Sequence, residues 1–446
     1  MSQTNSYQIE TKEMVKVAAS GWLGTAMEFM DFQLYSLAAA IVFNEIFFPN
    51  TDPSMGLIMA MGTYGAGYVA RLVGAFIFGH IGDKMGRRTV LFVTITLMGL
   101  ASTMIGFLPT YAEVGVLAPI GLVILRIVQG LGAGAEISGA GVMVTEFCEK
   151  KNRGLIASLV CLGTSSGTLC ANLIWTIILT MMDKQEVIAW GWRIPFYASF
   201  VVMIAAILIR LFVKESPVMA AKKKLLEEER EKQLAGDISV RQEQKKGKKS
   251  FIVALALRFG QAGNSGLMQT YLAGFIVTVL AMQKTVATEA NIISSFVSFL
   301  TIPFVGWLGD KIGRRKMYII LSLATAIYAI PMMLLFETKD PVILTIAMVI
   351  GLNVGVQGLF ALENVTMAEL FGARHRVTAV SLAKEIAGLV ATGFGPIIAA
   401  AAVTAMMGSW IPLAGMIIVF SLSSFFGAYV SEDTTGRDLN ELDDAM

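Results

Sequence analysis

The chain has 446 residues, of which 55% are hydrophobic and only 15% charged, and its formal net charge is +2. A soluble domain needs more charge to cover its surface, so this composition excludes an ordinary globular protein. Apolar stretches of about 20 residues, enough to cross a bilayer core of about 30 Å, recur along the whole sequence. We therefore predict an all-α protein that crosses a membrane many times.

The apolar stretches predict twelve spans in two sets of six. The first set covers about 17–43, 57–81, 89–109, 116–144, 154–182 and 192–213. The second set covers about 251–282, 289–308, 317–336, 341–366, 378–404 and 409–430. The charged sequence between them indicates a solvated linker, which could be partly helical. We predict an amino-terminal bundle over 1–213, a linker over 214–250, and a carboxyl-terminal bundle with a short tail over 251–446.

The basic residues of the short loops predict the orientation. The loops on one side carry Lys84, Arg87, Arg88, Lys150, Lys151, Arg153, Lys311, Arg314, Arg315, Lys316, Arg374 and Arg376. The loops on the other side carry only Lys184, Lys284 and Lys339. Because Lys and Arg stay on the cytoplasmic side, we expect both termini and the linker to lie in the cytoplasm. The polar amino terminus does not resemble a cleavable signal peptide.

The first span, "GTAMEFMDFQLYSLAAAIVF" in part, carries Glu28 and Asp31 near its middle. An ionised carboxylate in hydrocarbon costs several kcal/mol, so such residues are usually functional. The two acids are three residues apart and share a helix face. Arg126 and Gln129 fall near mid-depth of the fourth span. An acid that faces Arg126 while ionised and leaves it when protonated would be a proton-coupled switch; a static ion pair is the alternative.

An internal repeat divides the chain. Residues 79–88, "GHIGDKMGRR", and 306–315, "GWLGDKIGRR", are identical at seven of ten positions, and each joins the second and third span of its half. This indicates a duplicated six-helix unit. The motif resembles the loop motif of the major facilitator superfamily. "RIVQGLGAGAE" (126–136) and "WGWRIPF" (190–196) resemble its metabolite:proton symporters, including enterobacterial inner-membrane metabolite transporters, although many of these read Gly-Gly-Glu where this chain reads Gly134-Ala135-Glu136.

The resemblance implies two pseudo-symmetric six-helix bundles whose repeated loops bind the opposite half and close the cytoplasmic side. A weaker echo, a Glu and an Arg seven residues apart, occurs at 146–153 and 369–376. The expected cytoplasmic gate comprises Asp83, Arg87, Arg88, Glu146, Arg153, Asp310, Arg314, Arg315, Glu369 and Arg376. The alternative is that the basic residues only set the topology.

Sugar porters of this superfamily have an acid–arginine pair at similar positions, which favours Asp31 as the titrating group, with Glu28 as the alternative. Span seven faces the central cavity in the superfamily, and here it reads "RFGQAGNSGLMQTY" from Arg258. Guanidinium groups match a carboxylate bidentately. The predicted substrate-binding residues are Arg126, Gln129, Arg258, Gln261, Asn264 and Tyr271. Arg258 could instead extend to the membrane surface.

Other intramembrane charges have no partner that the sequence identifies: Arg71, Glu136, Glu363, Lys384 and Glu385. Lys384 and Glu385 are adjacent, so we expect them to face different directions. Three cysteines and two histidines, far apart, predict neither a disulfide framework nor a metal site. We expect no cofactor, no nucleic-acid partner and no enzyme activity.

The sequence thus predicts a proton-coupled symporter of the bacterial inner membrane. It would import a small metabolite, an organic acid anion or a zwitterion, by alternating access. Its expected partners are the small-molecule substrate, protons and the lipid bilayer, and we expect a monomer. Proton-driven export is the alternative function; the arginines among the predicted cavity residues favour an anion over the cations that drug exporters carry.

Overall fold

A computed structural model describes residues 11–49, 53–234 and 243–446. Over these residues the chain forms twelve long helices. The first six are α1 (Thr11–Phe43), α2 (Pro53–Met85), α3 (Arg87–Gly106), α4 (Leu117–Glu146), α5 (Arg153–Met181) and α6 (Ile194–Leu211). The last six are α7 (consecutive segments Glu243–Ser265, Gly266–Tyr271 and Leu272–Thr278), α8 (Lys284–Ile312), α9 (Arg314–Glu337), α10 (Pro341–Leu370), α11 (Arg376–Ala405) and α12 (Ile411–Val430).

Each predicted span corresponds to one of these helices, and the predicted fold class is confirmed. Ten of the helices within the described ranges, all but α2 and α7, are long and apolar enough to cross a membrane. α7 begins at Glu243 and not near 251, so its first turns carry the lysines that end the predicted linker. The predicted limits of the two bundles and the linker stay predictions.

The apolar cores show where the two halves meet. We call the membrane side that carries the repeated loops the basic face. Away from the basic face, the first half packs around Tyr35, Phe47 and Trp192, and the second half packs separately around Phe275 and Phe336. Towards the basic face a single core contains residues of both halves, among them Val142, Cys161, Leu257 and Met367. The two halves are therefore closed against each other at the basic face.

One face of the linker is buried, although most of its described charged residues are exposed. Its described part forms a helix over Pro217–Leu234. Val218 of this helix is buried with Leu439 and Leu442 of the carboxyl-terminal tail, and Leu225 and Leu226 pack against them. These apolar residues recur seven and eight positions apart, which gathers them on one helix face despite the surrounding charges.

Glycines set the distance between α2 and α4. A side chain at Gly74 would overlap the backbone carbonyl of Leu131, and one at Gly134 would overlap that of Arg71. Small residues let membrane helices approach backbone to backbone. This contact fixes α2, which carries Arg71, against α4, which carries Arg126.

We predict that Gly74→Ala lowers the thermal stability of the purified protein, because the added methyl group forces α2 away from α4. Overpacking of this kind costs about 1–3 kcal/mol. Gly65→Ala is the matched control on the same helix, since nothing lies within 4 Å of the added atom. Melting temperatures of the two variants in the same detergent provide the measurement. Equal melting temperatures would contradict the close contact.

Candidate functional site

Asp31 lies at mid-depth of α1 and is only 3% exposed. The Ser102 hydroxyl of α3 donates to Asp31 Oδ2 at 2.5 Å, and the Ser199 hydroxyl of α6 donates to Oδ1 at 2.7 Å. Gln129 Nε2 of α4 also donates to Oδ2, at 3.4 Å. Each of these three hydrogen bonds to Asp31 comes from a donor, which is the arrangement that an ionised carboxylate requires.

Arg126 is linked to Asp31 through Gln129. The guanidinium of Arg126 donates to Gln129 Oε1, while the amide nitrogen of the same Gln129 reaches Asp31. Arg126 also stacks on the Tyr35 ring, 3.7 Å from its centroid. The structure therefore brings together the predicted acid, arginine and glutamine, but an amide relays the contact that the sequence predicted as a direct opposition.

Glu28 turns away from Asp31 and pairs with Arg71 of α2. Arg71 Nη1 lies 2.7 Å from Glu28 Oε1. The same guanidinium holds Glu385 of α11 bidentately, with Nε to Oε2 at 2.8 Å and Nη2 to Oε1 at 2.9 Å. All three side chains are buried. Arg71 therefore joins an acid of the first half to an acid of the second half near the middle of the membrane.

A second charge cluster lies wholly within the second half. Glu363 of α10 pairs with Arg258 of α7 at 3.0 Å and with Lys384 of α11 at 2.9 Å. Arg258 also donates to Gln261 Oε1 at 2.6 Å, and Lys384 donates to Asn364 Oδ1 at 2.5 Å. Lys384 and its neighbour in the chain, Glu385, thus bind different partners. The cluster contains two cations and one carboxylate.

Two predicted substrate-binding residues do not join this cluster. The buried Asn264 amide donates to Ser421 of α12 at 3.0 Å. Tyr271 packs near Phe275, with ring centroids 6.5 Å apart. Steps of three residues drift by about 60° on a helix, so Asn264 points about 120° away from Arg258. The roles of Asn264 and Tyr271 in substrate binding stay predictions.

At the basic face, Asp83 at the end of α2 caps the amino terminus of α11. Its carboxylate accepts hydrogen bonds from the backbone nitrogens of Val377 at 3.1 Å and Thr378 at 2.9 Å, and from the Thr378 hydroxyl at 2.7 Å. A carboxylate at a helix amino terminus satisfies free N–H groups and the helix dipole together. Gly86 follows with φ of +116°, which a residue with a side chain rarely adopts.

Asp310 makes the equivalent contact from the other half. Its carboxylate accepts from the backbone nitrogens of Gly154 at 2.7 Å and Leu155 at 2.8 Å, at the amino terminus of α5. Gly313 has φ of +98° and takes the place of Gly86. Each copy of the repeated motif thus caps a helix of the opposite half.

Two buried glutamates complete this network. Glu146 Oε1 lies 3.1 Å from Arg87 of its own half and 2.8 Å from Arg376 of the other. Glu369 pairs with Arg314 of its own half at 3.3 Å and with Arg153 of the other at 2.9 Å. Eight of the ten residues predicted for the gate therefore lie in contacts that join the halves or support them.

Arg88 and Arg315 differ from the prediction, since each binds its own half. Arg88 donates to the carbonyl of Leu211 at the end of α6, at 3.0 Å. Arg315 donates to the carbonyl of Tyr429 at the end of α12, at 2.8 Å. The reason is geometric, because consecutive residues on a helix point about 100° apart and only Arg87 and Arg314 face the seam.

Sequence reasoning missed several partners at the basic face. Glu215 in the linker accepts from the backbone nitrogen of Arg87 at 2.9 Å. Lys222 of the linker helix donates to the carbonyls of Asp83 at 2.7 Å and Arg374 at 2.8 Å, and burial lowers its pKa to about 8. In the tail, the carbonyl of Arg437 accepts from Arg153 at 2.8 Å. These contacts use backbone nitrogens and carbonyls, which the side-chain pattern of a sequence does not predict.

Another buried pair was missed within the first half. Glu136 is fully buried and pairs with Arg210, and Thr94 also donates to Glu136 at 2.6 Å. An arginine close to the end of a predicted span gave no reason to expect a buried partner. Among the described residues no cluster of three His, Cys, Asp or Glu is placed to hold a metal ion.

Two six-helix bundles that meet over buried ion pairs are typical of membrane transporters. A family model described as Major Facilitator Superfamily matches residues 21–396 and 262–438. The "Putative transporter YdfJ" of Escherichia coli K12 is 52% identical, with 93% of this chain and 96% of that one covered. The "Shikimate transporter" of the same strain is 30% identical, with 94% of each chain covered.

Among solved structures, the proton:xylose symporter XylE bound to 6-bromo-6-deoxy-D-glucose is similar with a TM-score of 0.78, at 17% identity, over 97% of this chain and 98% of that one. The chain belongs to the Major Facilitator Superfamily. It is a multi-pass membrane transporter of metabolites and not an enzyme.

We predict that Asp83→Asn and Asp310→Asn each shift the protein several-fold towards opening at the basic face, because each removes a charge that binds a helix amino terminus of the other half. Spin labels at Lys151 and Lys311, exposed residues of opposite halves, would report the separation. Asp340→Asn is the matched control. Asp340 caps its own helix, α10, at 2.8 and 3.0 Å on the far side of the membrane. An equal effect of all three substitutions would contradict the assignment.

Proposed function

We propose that this transporter is a proton-coupled symporter that imports a small organic anion or zwitterion by alternating access, with its basic face in the cytoplasm. The observation that carries the proposal is the environment of Asp31. It is a carboxyl group at mid-membrane, surrounded by donors from three helices and connected to Arg126 by Gln129. The link connects the charge of Asp31 on α1 to that of Arg126 on α4.

Protonation would change this environment directly. A protonated carboxyl group is itself a donor, whereas Ser102 and Ser199 both donate to Asp31 in this arrangement. At least one hydroxyl would have to turn. The negative charge of Asp31, which Gln129 connects to Arg126, would be lost. A rearrangement of Gln129 and Arg126 is then the local step that connects the proton to movement of the halves.

The second half offers the charge for an anion. The pair Arg258 and Lys384 shares one carboxylate, Glu363, so this cluster carries one excess positive charge. The Arg258 side chain, 18% exposed, is the most accessible of the three. A substrate carboxylate could bind its guanidinium bidentately. The related shikimate transporter is named for a carboxylate, which supports the same class of substrate.

Closure of the basic face fits alternating access. Asp83, Asp310, Glu146 and Glu369 all contribute bonds between the halves. If this face is cytoplasmic, these bonds must break for the substrate to leave towards the cytoplasm. Proton-driven export would use the same elements in the opposite direction, and the direction of uphill transport distinguishes the two functions.

We expect Asp31→Asn to abolish proton-driven accumulation of substrate while exchange of substrate across the membrane continues, because the amide cannot carry the proton. A thermal-shift screen of shikimate, other small carboxylates and betaine first identifies a substrate. Uptake and exchange are then measured in vesicles with and without a pH gradient. Asp183→Asn, an exposed helix cap, is the control. Unchanged uphill uptake in Asp31→Asn would remove Asp31 from the coupling mechanism.

Arg258→Gln should weaken the binding of a carboxylate about tenfold to a hundredfold, since a hydrogen bond to a charged group contributes about 1.5–3 kcal/mol. Titration of the best carboxylate from the screen against purified protein measures the dissociation constant. Arg193→Gln is the control, because Arg193 donates only to a backbone carbonyl, that of Leu108, among the contacts described for it. An unaltered constant in Arg258→Gln would place the anion elsewhere.

A further inference from the structure

The cluster of Glu28, Arg71 and Glu385 contains two carboxylates and one guanidinium. Arg71 lies 2.7 Å from Glu28 and 2.8 Å from Glu385. No other ion pair reaches either glutamate within the part of the chain that the structure describes. With every group ionised the cluster carries one excess negative charge inside the protein. A buried excess charge is costly, and uptake of one proton removes it.

The neighbouring charged groups do not supply the missing positive charge, because each has its own partner. On α4 and α6, Glu136 pairs with Arg210. On α1 and α4, Asp31 and Arg126 are connected through Gln129. On α7, α10 and α11, Arg258 and Lys384 pair with Glu363. The Tyr68 ring on α2 lies 5.5 Å from the Arg71 guanidinium and adds no full charge.

The cluster also crosses the seam between the halves. Glu28 and Arg71 belong to the first half, and Glu385 belongs to α11 of the second. Asp83 binds the amino terminus of α11 at the basic face, so α2 and α11 lie along each other from that face to mid-membrane. Opening of the basic face would separate these helices and take Glu385 from Arg71. Glu28 and Arg71 would then remain as a neutral pair, and Glu385 would meet water.

We propose that Glu28, Arg71 and Glu385 form a second proton site, separate from Asp31, which is occupied when the basic face is closed and emptied when it opens. This inference rests on the proposed function and extends it, because it adds a proton that moves with the halves themselves. In the closed state one guanidinium serves two carboxylates, so one carboxyl group keeps a proton. In the open state each carboxylate has either Arg71 or water, so the proton leaves.

The sign of the pH dependence follows. The closed state binds one proton more than the open state, so a higher pH favours opening. A difference of one proton changes the ratio of open to closed protein by up to about tenfold per pH unit. Glu385→Gln or Glu28→Gln leaves one carboxylate for one guanidinium in the closed state, and each should remove this dependence.

The test uses the full chain in lipid nanodiscs with Lys151→Cys and Lys311→Cys spin-labelled and the exposed native cysteine removed by Cys170→Ser. Distance distributions between about pH 5 and about pH 7 give the ratio of open to closed protein. This range stays below the pKa of about 8 of Lys222, which also contacts both halves. All variants are built on Asp31→Asn, which takes the first proton site out of the measurement. Glu45→Gln is the matched control, since Glu45 is an exposed glutamate paired with Lys184 at 2.8 Å, away from the seam.

We expect the Asp31→Asn protein and the Glu45→Gln control to open as the pH rises. We expect the Glu385→Gln and Glu28→Gln proteins to show a ratio that does not depend on pH. A pH-independent ratio in the Asp31→Asn protein without further substitutions would overturn the second site. So would a pH dependence that persists in either glutamine variant. If Asp31→Asn retains uphill uptake but the slope depends on Glu385, the role proposed for Asp31 fails and the second site stands.

Discussion

A charge between membrane helices must meet an opposite charge or hydrogen-bond donors, because hydrocarbon does not solvate it. In this chain that requirement determines where the two halves touch. Asp83 and Asp310 are satisfied by helix amino termini of the opposite half, and Arg71 is satisfied by acids of both halves. The bonds that satisfy these groups are therefore the same bonds that hold the basic face closed. Any movement of the halves must supply new partners, either water or protons.

The two halves share their closing contacts but not their charge clusters near mid-membrane. Each half has one aspartate that caps a helix of the other half, Asp83 or Asp310. Each half also has one buried glutamate at the seam, Glu146 or Glu369. Asp31, with its two serines and a glutamine, occurs in the first half. The second half instead has two cations around Glu363. Duplication accounts for the closing contacts. Divergence accounts for the excess negative charge around Arg71 and the excess positive charge around Glu363.

The sequence predicts the parts of this architecture that depend on long or repeated patterns. Twelve apolar stretches predict twelve helices, and the repeated motif predicts the contacts of Asp83 and Asp310. Contacts that depend on the direction in which a side chain leaves its helix were harder to predict. Asn264 was assigned from the polarity of span seven and Arg315 from the repeated motif, and the structure places them against Ser421 and Tyr429. The partners of Arg71 could not be predicted at all, because Glu28 and Glu385 lie far away in sequence and belong to different halves.

The crossed caps also bear on the origin of the chain. Each half supplies the carboxylate that caps the amino terminus of a helix in the other half. A single six-helix ancestor would therefore have exposed both an unsatisfied acid and an uncapped helix. Two copies facing each other across a twofold axis would have satisfied both needs reciprocally, as an isologous dimer does. A fusion of two such copies would preserve this self-complementary surface and would free one copy to change its interior.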